Sequence, residues 1–81
     1  MSIIVGVKLE NRCENSVNFQ EILSKYGCNI NMRVGFHESD NISCSKTGII
    51  LFNFIGSDEV FSKLIKDLIK INNLKLRVMR I

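Results

Sequence analysis

TGIILFNFIG, Thr47 to Gly56, is the longest apolar run in the chain and the one segment that is hydrophobic at both odd and even positions. Side chains alternate between two faces along a strand, so Ile50, Phe52 and Phe54 share one face while Ile49, Leu51 and Ile55 share the other. A half-buried strand needs one apolar face. Two apolar faces point to a central strand that is covered on both sides.

Downstream of this run the period changes from two to that of a helix. Ser57 is placed to cap it, and Asp58 and Glu59 put carboxylates in its first turn, where the helix dipole is positive. Val60, Phe61, Leu64, Ile65 and Leu68 form one stripe, with Lys63, Lys66, Asp67 and Lys70 on the solvated side. Asn72 and Asn73 suit a helix end because Asn tolerates the left-handed conformation. Leu74, Leu76 and Val78 then alternate with Lys75, Arg77 and Met79 as a final strand.

Upstream, Glu38 to Lys46 (ESDNISCSK) has the composition of a loop joining a hairpin. Cys28 to His37 precedes it as a strand, with Ile30, Met32, Val34 and Phe36 on one side and Asn29, Asn31, Arg33, Gly35 and His37 on the other. Before that lies a helix capped by Asn15 or Ser16, with the stripe Phe19, Ile22, Leu23, Tyr26 and with Gly27 as a left-handed stop. Ile3, Val5, Val7 and Leu9 mark a first strand.

The order strand, helix, strand, strand, helix, strand implies an α+β, ferredoxin-like βαββαβ sandwich: a four-stranded antiparallel sheet with both helices on one face. All 81 residues form a single domain on this reading. The helix-facing set is expected to hold Val5, Val7, Ile30, Met32, Phe52, Phe54, Leu76 and Val78. The open face then carries Ile4, Ile49, Leu51 and Met79 beside Lys8, Arg33, His37, Lys75 and Arg77. An apolar centre with a basic border is the composition of a face that something covers.

A chain this short buries only about 60 to 65% of its unfolded surface, and oligomerisation is a direct way to add burial. The N-terminal apolar run is too short for a signal peptide or a membrane span, so a cytoplasmic protein is expected. Cys13, Cys28 and Cys44 are an odd number without CxxC spacing, which favours free thiols over a disulfide framework or a zinc knuckle. Cys28, His37, Asp40 and Cys44 are the residues from which a metal site could be drawn, but no two have a diagnostic spacing. No metal or cofactor is expected. An RNA-binding domain of this strand order presents aromatics from the third strand. Here Phe52 and Phe54 fall on the helix-facing parity, and Ile49 and Leu51 take the exposed one. No nucleophile has an identifiable base, and Cys13 near a helix start reads as an ordinary cysteine. There is no Gly-rich phosphate loop.

With its segments laid out, the chain resembles the small ACT-like proteins known as regulators of iron-only hydrogenase systems. The likeness runs through VGVKLENR, FQEILSKYG, INMRVGFH, IILFNFIGSDEVFSKLIKDL and LKLRVMRI. Its most specific pieces are Glu10-Asn11-Arg12, Ile22-Leu23-Ser24 with Tyr26-Gly27, and Arg33 followed by Gly35. More distantly the chain resembles the ligand-sensing domain of nickel-responsive regulators. The resemblance implies a ferredoxin-like fold of ACT type that assembles through its sheets or edges, and a regulatory role linked to hydrogenase genes. The family usually continues its second strand into a Pro-containing stretch, and amino-acid-binding ACT domains carry a glycine in the first loop. This chain has no proline, and NRCENS has no glycine.

The expectation is therefore a non-catalytic, ligand-sensing regulatory domain that forms a homo-oligomer, dimer or tetramer. Ile4, Ile49, Leu51 and Met79 are its expected subunit contact, and a small effector is expected near Arg33, Gly35 and His37. No DNA-reading segment is left over, so regulation of transcription would work through a partner protein, without direct nucleic-acid or membrane binding. The alternative is an anion- or nucleic-acid-binding module that uses the basic border, Arg33, Lys75 and Arg77.

Overall fold

The computed structural model describes residues 2–10, 12–37 and 47–81, with side chains described for all of these except 12–14, 36, 37 and 47. In chain order the elements are β1 (Ser2–Glu10), α1 (Arg12–Lys25), a 3-10 turn (Gly27–Asn29), β2 (Ile30–His37), β3 (Thr47–Ile55), α2 (Asp58–Leu68) and β4 (Leu74–Arg80). The strands form one antiparallel sheet in the order β2-β3-β1-β4, so the Thr47 run is central, paired on both sides. This is the ferredoxin-like α+β architecture. The Glu38 to Lys46 hairpin connection, with Asp40 and Cys44, lies outside the described residues.

Periodicity accounts for the core. Ile3, Val5, Val7 and Leu9 of β1 and Phe52 and Phe54 of β3 are almost wholly buried beneath Phe19 and Leu23 of α1 and Phe61, Leu64 and Leu68 of α2. The Phe54 and Phe61 rings meet at 5.1 Å in a tilted arrangement, one that aromatic quadrupoles favour. Ser57 caps α2 as its type predicts, its Oγ accepting from the Val60 N–H at 3.2 Å. Asn73, at φ 63, makes the left-handed step into β4.

Three local expectations are corrected. First, α1 begins at Arg12, so Asn15 lies inside the helix and caps nothing. Its amide donates instead to the carbonyls of Glu10 (3.0 Å) and Asn72 (2.9 Å), tying the end of β1 to the α2–β4 turn. Second, Gly27 is not left-handed. The helix runs through Tyr26 into the 3-10 turn, where Asn29 N–H donates to the Tyr26 carbonyl at 2.9 Å.

The third correction bears on the site. A bulge between Ile30 and Met32 inserts one unpaired residue into β2: Ile30 pairs with Phe54 and Met32 with Asn53. An extra residue in a strand of period two moves everything beyond it to the other face. Met32 and Val34 therefore join the open face, 54% and 50% exposed, while Arg33 and Gly35 pair with Phe52 and Ile50 on the helix side.

Candidate functional site: the open face of the sheet

Register fixes what lies side by side on the open face. One row across the sheet is Val34, Leu51, Gly6, Arg77 and the next is Met32, Asn53, Ile4, Met79, while Ile49, Lys8 and Lys75 share a third. The face thus divides. Its β2–β3 half presents Met32, Val34, Ile49, Leu51 and Ile55; its β1–β4 half presents Lys8, Lys75 and Arg77 at one end and Ile4 and Met79 at the other.

Gly6 sits where the two halves meet. A Cβ there would lie 3.2 Å from Leu51 Cδ2, so the missing side chain lets Leu51 lean over β1. Asn53 is the polar break in the apolar half. Its Nδ2 donates to Asn31 Oδ1 at 2.8 Å across the bulge, and its buried Oδ1 has no partner among the described residues. Such an orphaned acceptor costs stability.

The structure brings the expected contact residues Ile4, Ile49, Leu51 and Met79 onto this one face. The expected effector residues lie elsewhere. Arg33 leaves the open face and lines a groove of about 400 Å³ between the end of α1 (Leu23, Ser24), the 3-10 turn (Gly27) and the start of β2 (Ile30, Asn31, Met32). Gly35 follows two residues along, and the backbone of His37 pairs with Gly48. Met32 and Val34 were missed as open-face residues. Sequence offered no signal for them, since the bulge lies beside a contact between Asn31 and Asn53 of different strands.

On the opposite side of the molecule α1 and α2 are clamped at their C-terminal ends. Tyr26 Oη donates to Asp67 Oδ2 at 2.8 Å, and Lys25 Nζ lies 3.3 Å from the same oxygen. The Tyr26 hydrogen bond, with that from Lys25, holds the Asp67 carboxyl below the usual range, and the Asp67 bond raises both Tyr26 and Lys25. Beside the clamp runs a groove of about 540 Å³ whose lining includes Asn18, Glu21, Lys70 and Ile71. Among the described residues no three His, Cys, Asp or Glu side chains converge as metal ligands, and Cys28 is exposed and unpaired. No helix among them is long and apolar enough to cross a membrane.

Fold and face together define a small ferredoxin-like α+β domain with an uncovered, half-apolar sheet. An uncharacterized protein from Thermotoga maritima, TM1266, is similar over 96% of this chain and 92% of its own, with a TM-score of 0.80 at 18% identity. A formyltetrahydrofolate deformylase from Pseudomonas putida KT2440 is similar over all of this chain but 29% of its own, with a TM-score of 0.64 at 9% identity. At such identities the likeness is one of fold, and no deformylase chemistry follows from it. No family model matches the sequence, and no curated protein does.

Proposed function

We propose that this chain is a non-catalytic regulatory domain, of the kind linked to iron-only hydrogenase systems, that responds to a small effector and works as a homo-oligomer. The observation that carries the proposal is the apolar half of the open face, where the bulge adds Met32 and Val34 to Ile49 and Leu51. Contiguous apolar surface of this kind marks an interaction site. The residue-level resemblance to ACT-like regulators supports the regulatory role, and the groove beside Arg33 is the effector site of this proposal.

A second copy of the chain is the occupant that fits the open face. A two-fold axis lying across the strands stacks apolar half on apolar half, whereas an axis along the strands would set Met32 and Val34 against lysine and arginine. Met32, Val34, Leu51, Ile55 and Met79 are 40 to 57% exposed. Covering the exposed half of each gains roughly 1 kcal/mol, or about 10 kcal/mol for two copies. Association costs on the order of 4 to 15 kcal/mol. At the low end of that cost the surplus is about 6 kcal/mol, a Kd on the order of tens of micromolar, so a concentration series spans the range in which assembly responds to small changes at the face.

The test is molar mass by light scattering across a concentration series. The wild type should exceed the monomer mass, and Leu51→Asp should return it to monomer with the circular-dichroism spectrum unchanged. A Leu51→Asp protein whose mass matches the wild type at every concentration would sink the open-face interface.

A further inference from the structure

We infer that Lys8, Lys75 and Arg77 form one binding site for a small polyvalent anion of the phosphate class. Lys8 and Lys75 are direct cross-strand partners on the open face, and Arg77 lies two residues along β4 on the same face, opposite Gly6. Direct cross-strand partners hold their Cβ atoms about 4.5 to 5.5 Å apart and diagonal ones about 7 to 8 Å. Three long cationic side chains thus share a patch the size of one or two phosphate groups.

The pairing is unfavourable as it stands, because like charges directly opposite each other destabilise a sheet. Among the described residues relief comes from Glu10 alone, whose Oε1 lies 4.0 Å from Lys75 Nζ, a long contact between side chains that are 41% and 68% exposed. Lys8 has no carboxylate within ion-pair distance among the described residues. The Arg77 guanidinium donates from Nη1 to the carbonyl of Leu76 at 2.8 Å, its one side-chain hydrogen bond among them. Arg77 keeps further donors in the planar fork that matches a phosphate's oxygens.

The contrast with Lys25 and Arg80 is informative. Lys25 is matched by Asp67 at 3.3 Å, and Arg80 by Asp58 at 3.3 Å with its guanidinium over the Phe61 ring. Among the described residues, the open-face corner gathers three cations against one distant carboxylate. Gly6 leaves the sheet bare beside Arg77, and Leu51 walls the site on its apolar side. A polynucleotide fits less well. It needs a longer cationic track and stacking rings, and beyond the corner this face is aliphatic and holds Asn53.

The site bears on assembly. A two-fold across the strands also reverses their direction, so it sets the Lys8 and Lys75 end of one copy over the Ile4 and Met79 end of the other and brings the two Arg77 rows together, where an anion held at each corner offsets their repulsion. This coupling rests on the open-face assembly proposed above, whereas the site itself stands on one chain.

Inorganic pyrophosphate is the probe, titrated calorimetrically into the full chain at constant ionic strength. Saturable binding with one site per chain is expected. The Lys8→Gln/Arg77→Gln variant should weaken it at least tenfold, and Lys63→Gln/Lys66→Gln, on α2, should leave it unchanged. Equal affinity in both variants, a response that sodium chloride reproduces at matched ionic strength, or tighter binding of single-stranded RNA than of pyrophosphate would each overturn the site. Met32→Asp, on the apolar half, separates the two ideas. Pyrophosphate binding retained in that variant supports a site on the single chain, and binding lost overturns it. The molar mass of the same samples reports independently on the assembly.

Discussion

Phe52 and Leu51 are neighbours on β3, and they belong to different molecular environments. Phe52 is wholly buried beneath α1 and α2, while Leu51 is 40% exposed on a face that none of the described residues covers. The same strand, with the same apolar composition, therefore does two jobs. On one side hydrophobicity builds the fold; on the other it makes an apolar surface that the described residues leave open. Composition alone does not separate these roles, and substitution should.

The largest effect is expected on the covered side. Phe52→Ala removes a ring from the centre of the core and should cost about 3 to 5 kcal/mol in chemical denaturation, as such truncations do. Ser57→Ala takes away the oxygen that caps α2, the helix that covers Phe54 through Phe61. About 1 kcal/mol is the expected loss. Equal losses for Phe52→Ala and Leu51→Ala in dilute monomer would erase the distinction between the faces.

A smaller effect tests the bulge. If β2 kept an unbroken period of two, Met32 would sit under the helices, and a lysine there would be severely destabilising. With Met32 on the open face, Met32→Lys should change monomer stability by no more than about 0.5 kcal/mol, the usual range for exposed positions. A loss of several kcal/mol would put Met32 back in the core.

Most of the fold was legible because most of it obeys periodicity. The parity of β1, β3 and β4, the α2 stripe and the Ser57 cap follow directly from residue type and spacing. The bulge was not legible, since it depends on how Asn31 and Asn53 meet across two strands, 22 residues apart. One inserted residue then exchanged the faces of Met32, Val34, Arg33 and Gly35. The basic corner was largely legible: Lys8, Lys75 and Arg77 were all on the expected face, the β1–β4 register brings them together, and the bulge takes Arg33 away. The start of α1 was misplaced because Asn15 resembles a cap in sequence, whereas it uses its amide as a tie between distant carbonyls.

The smallest effect concerns how the two helices that cover the sheet are held together. Tyr26 and Lys25 favour ionised Asp67, so the folded carboxyl is more acidic than in the unfolded chain. A group with a depressed folded pKa contributes stability above its unfolded pKa and loses it as pH falls through the folded value. The Asp67 contribution is thus complete at neutral pH and fades below the normal carboxylate range. Lys25 and Tyr26 behave oppositely: their raised values make a contribution that is present below the unfolded pKa and lost as pH rises through the folded one, in strongly alkaline solution. Because Lys25 is exposed, solvent screens its share. Asp67→Asn should therefore flatten the acid limb of the melting temperature measured from pH 6 to pH 2, without altering the effect of Leu51→Asp on molar mass. An acid limb identical in Asp67→Asn and wild type would show that the clamp contributes nothing to holding the helices over the sheet.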